Sequence, residues 1–334
     1  MQDASKADSQ EIEMGRITST KFKSKIKKLS LPLTVISAAV VLSFMIHGSG
    51  FEHAIDFPLD VSSEVEGVID DSIDWVIITF GGFFDAVSDA LKILLGKLRD
   101  FLLWIPWPIM ITLVFIIGWK IATVKIGILS VVGLLMLAIV NLWEPTMVTV
   151  AIMIVSVFIA IAVGVPTGVL AARSDRFETG IRPVLDTMQT MPSFVYLVPG
   201  IMLFGLGNVG AIFATVLYAL PPSIRLTNLG IRQVDPSVVE AGQSFGSSEM
   251  QLLFKIQIPM AMPTIMAGIN QTVMMALAMS TIAAMVGAGG LGIEVLRAMG
   301  QLREGEAVIA GCAIVILAVI IDRISQGYIE NRAI

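Results

Sequence analysis

Two sets of residues have the types and spacing to do work. The first is a group of polar and soft side chains set inside long apolar runs: Gln189, Thr190, Ser193, Tyr196, Asn270, Gln271, Thr272, Ser280 and Thr281, with Phe194 and Met279 beside them. A polar group in such a run either hydrogen-bonds between helices or lines a path for a polar solute. Met274, Met275, Met279 and Met285 cluster in one run. Soft side chains of this kind pack irregular space, or form a gate around a methylated ammonium head. Tyr196 or Phe194 would meet such a head by cation–π attraction. Neither set makes or breaks bonds: the sequence has no GxxxxGK[ST], HExxH or GxSxG pattern. A single cysteine, Cys312, and two histidines, His47 and His53, exclude a disulfide framework and leave little for a metal site.

The second set lies at 225–258. Asp235 can cap a helix with Pro236 at its first position, and the helix runs Ser237 to Phe245. Gly246 supplies the left-handed residue that ends it. Ser247 can cap a second helix over 248–257, closed by Ile258-Pro259. Val238, Val239, Phe245, Met250, Leu253 and Phe254 are more apolar surface than a solvated loop needs, which suits docking into a partner's groove.

The elements that must position these residues follow from composition. Hydrophobic residues are 55% of the 334 and charged residues 15%, against about 25% charged in ordinary soluble chains. The chain is therefore read as an integral membrane protein. Apolar runs long enough to span lie near 31–47, 105–119, 126–143, 147–170, 190–206, 208–224, 259–287 and 307–323. Continuous runs exclude the alternating pattern of a membrane barrel, so the fold class is an all-α polytopic bundle of about eight transmembrane helices. Pro192 and Pro199 should break or kink the fifth span. No Asp or Glu falls mid-span in the last five, which fits a solute without net charge and disfavours a proton relay.

Placing both termini inside puts 17 of the 22 Lys and Arg in inner segments, and flipping the chain reverses that ratio. The net charge of −5 gives no reason to expect nucleic-acid binding. Residues 1–30 read as a cytoplasmic basic tail, with Lys21, Lys23, Lys25, Lys27 and Lys28 before an uncleaved signal-anchor helix at 31–47. Those lysines fix topology or touch anionic lipid. Segment 48–104 carries eleven acids against three bases. Ile73, Val76, Ile77, Phe80, Phe84, Val87, Leu91, Leu94 and Leu95 recur there at three- and four-residue spacing. It reads as an amphipathic helix along the outer, periplasmic surface, either a packing strut or a scaffold for a soluble partner. Residues 105–146 hold the peripheral helices, 147–323 the core with its loop at 225–258, and 324–334 a cytoplasmic C-terminus. The Gly-rich stretch 287–292 reads as a flexible helix end on the outer side. Gly164 and Gly168 form a GxxxG pair that favours close helix packing.

The segment Glu240-Ala241-Gly242, three residues, Gly246, nine residues, then Ile256-Gln257-Ile258-Pro259 resembles the EAA loop of type I ABC importer permeases. Gly242 stands for the second Ala of that pattern and Ile258 for its Leu. The stretches 186–199, 203–209, 219–227 and 259–272 are similar to the glycine betaine/proline betaine permeases of the ProW and OpuAB type, and the resemblance covers about 70–330. It implies that Glu240, Ala241, Gly242, Gly246, Ile256, Ile258 and Pro259 form the coupling helix inserted into an ATPase subunit. It implies a permease homodimer in a bacterial inner membrane and a periplasmic substrate-binding protein. It implies no cofactor in this chain, with ATP and Mg held by the ATPase subunit. The solute implied is a betaine-type osmoprotectant. Trimethylamine N-oxide, choline, carnitine or dimethylsulfoniopropionate would share the same methylated head. The rival of another class, a stand-alone secondary transporter or channel, would show inverted repeats and intramembrane charges; neither is evident in the sequence.

Overall fold

A computed structural model describes residues 36–42, 45 and 61–330. The anchor read at 31–47, the basic tail, the start of the outer segment and the last four residues lie outside these, save the helical stretch at 36–42 and Met45. The chain divides into Met1–Asp74 and Trp75–Ile334. Among the described residues every regular element is a helix. They are α1 (Ser62–Trp104), α2 (Trp107–Ile121), α3 (Val124–Ile139), α4 (Trp143–Arg173), α5 (Asp175–Thr190) and α6 (Leu197–Phe204). Then follow α7 (Asn208–Arg232), α8 (Pro236–Ser244), α9 (Glu249–Leu252), α10 (Ile258–Ile282), α11 (Leu291–Gly300) and α12 (Glu304–Glu330).

Four helices among the described residues are long and apolar enough to cross a membrane: Trp143–Arg173, Asn208–Arg232, Glu249–Val286 and Glu304–Tyr328. A fifth is reached if α1 and α2, bent by 100° where Pro106 intervenes, count as one span. The 15-residue α2 and 16-residue α3 are each only about 22–24 Å long, short of a ~30 Å hydrocarbon core. They form a hairpin closed by Thr123, whose hydroxyl accepts from the Ile126 N–H. Gly118 and Gly127 let the two backbones touch. Among the described residues four or five helices are thus long enough to cross, with shorter apolar helices between them, and the expected count of eight is not reached there.

α7 is the central helix. Gly164 of α4 lies against Ser223, and Gly168 against Thr227 and the Ile224 carbonyl. A Cβ at Gly164 would sit 1.9 Å from the Ser223 Oγ, so the GxxxG pair does set the α4–α7 approach. On its other side, Gly230 meets Thr264, and Gly268 meets Leu226 and the Pro222 carbonyl of α7. A core of Ile111, Leu134, Leu137, Met153, Leu277, Leu291, Leu317 and Ile320 joins α2, α3, α4, α10, α11 and α12.

Two hydrogen-bond sets fix which helix ends share a side. At the Arg232 end of α7, the guanidinium donates to the Ala171 carbonyl of α4 at 2.9 Å. At the other end, Asn208 Oδ1 accepts from the Gly289 N–H at 2.9 Å, and Thr149 Oγ1 accepts from the Leu291 N–H at 2.8 Å. The chain leaves α4 on the first side and enters α7 on the second, so 174–207 must traverse the bundle. It does so in two pieces. α5 is amphipathic and mostly polar. After Met191-Pro192 come a single 3₁₀ turn, Ser193–Tyr196, and the apolar α6. The fifth span expected at 190–206 is therefore only the second half of this crossing. Pro192 supplies the break, as its spacing implies. Pro199 sits in the first turn of α6, where its missing N–H costs nothing.

The Gly-rich stretch 287–292 is tied down rather than a free helix end. Gly287 and Gly290 have φ of +82° and +101°. At Gly290 a Cβ would fall 2.4 Å from Thr149 Oγ1. Thr149→Val leaves the buried Leu291 N–H without a partner, which should cost about 1–3 kcal/mol. A fall in melting temperature of the purified permease checks this.

Candidate functional site

The loop between α7 and α10 is built from the backbone outward. Val234 is buried, and Asp235 caps α8 by accepting from the Ser237 N–H at 2.8 Å. Hydrogen bonds from Ser237, side chain first and backbone second, hold the Asp235 carboxyl below the usual carboxylate value. A lowered value in the folded state makes the cap's contribution complete above the ordinary carboxylate range, and it is lost as pH falls through the lowered value. Limited proteolysis within 236–246 should therefore quicken in Asp235→Ala at neutral pH, and in the parent chain only on strong acidification.

α8 ends as its sequence requires. Gly246 takes φ +77°, its N–H donates to the Gln243 carbonyl, and the Ser247 N–H donates to the Gly242 carbonyl. The next helix is capped by Ser248, one residue later than expected, because Gln251 can then close a capping box with it. That helix does not stop at Ile258-Pro259. A π turn, Leu253–Gln257, carries it into α10, making one 38-residue helix from Glu249 to Val286. Pro259 sits in the first turn of α10, and the wider π turn moves the carbonyls its ring would otherwise strike.

Gly242 is buried, and a Cβ there would lie 2.5 Å from Ile256 Cδ1. The Gly that replaces Ala in the loop pattern thus lets α8 lie close on the π turn. Glu240 and Ala241 are exposed, Ile256 and Ile258 are half-buried, and Pro259 is exposed. The apolar surface is narrower than the sequence suggests. Leu253 is buried and Val238 and Val239 are half-covered, while Phe245 is 90% exposed with Met250 and Phe254 beside it in exposure. An ion pair from Arg173 to Glu249 at 3.2 Å ties the loop to the end of α4. A cleft of about 660 Å³, lined by Arg173, Arg232, Val239, Glu240, Gln243 and Glu249 among others, opens between them.

The residues read as a path are placed unevenly. Met279 is fully buried and packs in one cluster with Tyr196, Leu197, Ala211, Ala214 and Val286. The Tyr196 hydroxyl donates to the Met188 carbonyl, and its ring stands edge-on to Tyr218 at 5.6 Å. Ser280 is buried and donates to the Leu277 carbonyl. Asn270 is half-buried with no partner for Oδ1, and Thr272 is fully buried with none for Oγ1. Gln271, Gln189, Thr190 and Phe194 are exposed and Ser193 is half-buried. Tyr196 and Met279 therefore meet, whereas Gln189, Thr190, Phe194 and Gln271 face away from that cluster's interior.

Sequence reading missed a charged contact within this crossing. Arg225, at the edge of the loop expected at 225–258, lies inside α7 and pairs with Asp186 of α5. The signal was available: Phe177, Ile181, Leu185 and Met188 recur at helical spacing through a segment too polar to look like a span. At the Asn208 end, a cleft of about 360 Å³ is lined by Arg99, Glu144, Asn208, Gly289 and Glu294.

Residues 164–334 match the family model described as the binding-protein-dependent transport system inner membrane component. The chain is 46% identical over 258 residues to the glycine betaine/proline betaine transport system permease protein ProW of Escherichia coli, covering 77% of this chain and 73% of that protein. It is 46% identical over 260 residues to the glycine betaine transport system permease protein OpuAB of Bacillus subtilis, covering 78% and 92%. Against the trimethylamine N-oxide transport system permease protein TmoV of Ruegeria pomeroyi, identity is 30% over 322 residues, covering 91% and 48%. Among solved structures, the inward-facing methionine ABC transporter MetNI aligns at TM-score 0.51 and 22% identity, covering 55% of this chain and 92% of that one. An amino acid ABC transporter aligns at TM-score 0.50 and 18% identity, covering 58% and 97%. These two show the fold alone: the core of α4 to α12 has the architecture of importer permeases. The chain belongs to the family of binding-protein-dependent transport system inner membrane components.

Proposed function

We propose that the chain is the membrane-spanning subunit of an ATP-driven importer for glycine betaine/proline betaine-type osmoprotectants. The observation that carries the solute is the 46% identity to two glycine betaine permeases over more than three quarters of the chain. Identity to the trimethylamine N-oxide permease is lower, at 30%. In this reading the Arg232 end is cytoplasmic and the Asn208 end periplasmic, and both termini are inside, as the Lys and Arg distribution favours.

The coupling loop docks on an ATPase subunit through Phe245, Met250 and Phe254, with Glu240 beside them. Because the loop from Glu249 onward continues through the π turn into α10, a displacement of Met250 and Phe254 is carried along one helix toward Asn270, Gln271, Met279 and Ser280. The ATPase subunit holds ATP and Mg and supplies the energy, and two permease copies enclose the path. A periplasmic binding protein delivers solute at the Asn208 end and does the high-affinity selection. Polar, uncharged groups such as Asn270 and Thr272 suit a zwitterion that carries no net charge.

The test is uptake in a host deleted for its own betaine importers and given this chain with its neighbouring ATPase and binding-protein genes. Radiolabelled glycine betaine should enter, and excess trimethylamine N-oxide or choline should compete weakly. Uptake of trimethylamine N-oxide in preference to betaine would replace the solute and keep the machine.

A further inference from the structure

α5 is an unusual half of a membrane crossing. Only Leu185 of its 16 residues is buried. It is held to the rest of the bundle chiefly by polar ties. Asp175, in its first turn, pairs with Arg232 at 2.7 Å. Asp186, a turn before its end, pairs with Arg225. Beyond it, Tyr196 of the 3₁₀ turn reaches back to the Met188 carbonyl. The ion pairs run antiparallel: position 175 meets 232, and 186 meets 225, so α5 lies along the cytoplasmic part of α7.

The two pairs are not equivalent. Arg232 also donates to the Ala171 carbonyl and to Asn228 Oδ1, each at 2.9 Å, so its end of α5 is anchored to both α4 and α7. Arg225 has no acceptor beyond Asp186 in its hydrogen bonds, and the pair is partly exposed, with side-chain exposures of 37% and 57%. Extended residues bound α5 at both ends: Ser174 at φ −135°, ψ 110°, and Met191 at φ −68°, ψ 137°, followed by Pro192 at φ −56°, ψ 138°. A helix with little buried apolar surface and non-helical joints can swing; besides the ion pair, its Asp186 end is held by buried Leu185 and by the Met188 carbonyl bonded to Tyr196. Charges within a membrane crossing must be paired or wet. Parting Asp186 from Arg225 therefore demands water between α5 and α7, and that water is a way out for a polar solute.

We propose that the Asp186–Arg225 ion pair is the cytoplasmic latch of the translocation path: it joins α5 to α7 while the path is closed below and parts in every cycle to release solute. This rests on the importer reading given above. Asp186 and Arg225 act as positioning residues, holding an element rather than the solute.

The test uses the whole importer, with its ATPase and binding protein, in liposomes. In a Cys312→Ser parent, Asp186→Cys and Arg225→Cys are combined and bridged with a short bis-methanethiosulfonate reagent, which dithiothreitol removes. Bridging should lower ATP-driven uptake at least tenfold, and dithiothreitol should restore it; each single-cysteine variant should be indifferent to the reagent. A bridged importer, with the bridge verified by mass spectrometry, that keeps half its rate or more would overturn the latch. If the double-cysteine variant is inactive before bridging, charge exchange decides. Asp186→Arg and Arg225→Asp singly should each lose uptake, and the pair together should regain it; singles that transport normally would overturn the proposal. Uptake by the Cys312→Ser parent reports separately on the solute. If it is nil with betaine, ATP hydrolysis stimulated by the binding protein becomes the readout, and bridging should still arrest it reversibly.

Discussion

Gly168→Leu is expected to yield no folded permease. At this position the α4 backbone lies so close to α7 that even a Cβ would fall 2.6 Å from the Thr227 Cβ and 2.7 Å from the Ile224 carbonyl. Both obstacles are on a helix that Gly230 and Gly268 press against α10 from the other side, so α7 has nowhere to go. Overpacking by a few methylenes already costs about 1–3 kcal/mol in a well-packed core. Four carbons against backbone should exceed the stability margin. Gly164→Leu should behave alike, its Cβ meeting the Ser223 side chain. Gly311→Leu is the control, because nothing lies within 4 Å of a Cβ there. Size-exclusion profiles of fluorescent fusions distinguish the outcomes: a monodisperse peak for Gly311→Leu and aggregate for the other two.

That prediction rests on a feature the sequence made readable, since a GxxxG pair in an apolar run has one common use. Other elements were legible for equally local reasons. The runs near 105–119, 126–143, 147–170, 208–224, 259–287 and 307–323 all became helices, because continuous apolar stretches in lipid have no other way to pair their backbones. Asp235-Pro236 and Gly246 bounded α8 as their backbone preferences require. What stayed hidden depended on distant partners. α5 falls outside the apolar runs because most of its residues are polar, and only the pairing of helix ends shows that it must cross. Ile258-Pro259 looked like a helix stop because a π turn cannot be read from one proline. The Gly-rich stretch at 287–292 looked loose because Thr149 and Asn208, which tie it down, lie over 80 residues away in sequence. Along α1, Val76, Ile77, Phe84, Val87 and Leu91 are half-buried and Leu95 is buried. Phe80 and Leu94 of the same pattern are about half exposed.

Phe245→Asp should leave the permease folded and separate it from its ATPase subunit. The side chain is 90% exposed, so nothing in this chain depends on it. It stands at the C-terminal end of α8, and Met250 and Phe254 of the following helix are exposed too, so the loop offers an aromatic anchor to a partner's groove. Aromatic anchors of this kind are worth about 2 kcal/mol or more at an interface, and placing a carboxylate in an apolar groove adds a desolvation cost. A loss of that size is a thirtyfold or greater fall in affinity. The variant should elute normally alone, fail to co-purify with the ATPase and show no uptake. Gly246→Val should give a milder defect of the same sort, because a branched residue at φ +77° distorts the turn that aims Phe245. Co-purification that survives Phe245→Asp would move the docking surface elsewhere on the loop.

On the proposed function, this chain moves a methylated zwitterion by coupling the loop and α10 to a separate ATPase. The direct measurement is radiolabelled glycine betaine uptake into liposomes holding the permease and its ATPase, with binding protein outside and Mg-ATP inside. Uptake should require ATP and the binding protein together, persist with all ion gradients collapsed, and vanish in the Phe245→Asp variant. Accumulation driven by a sodium or proton gradient with the ATPase left out would contradict the account.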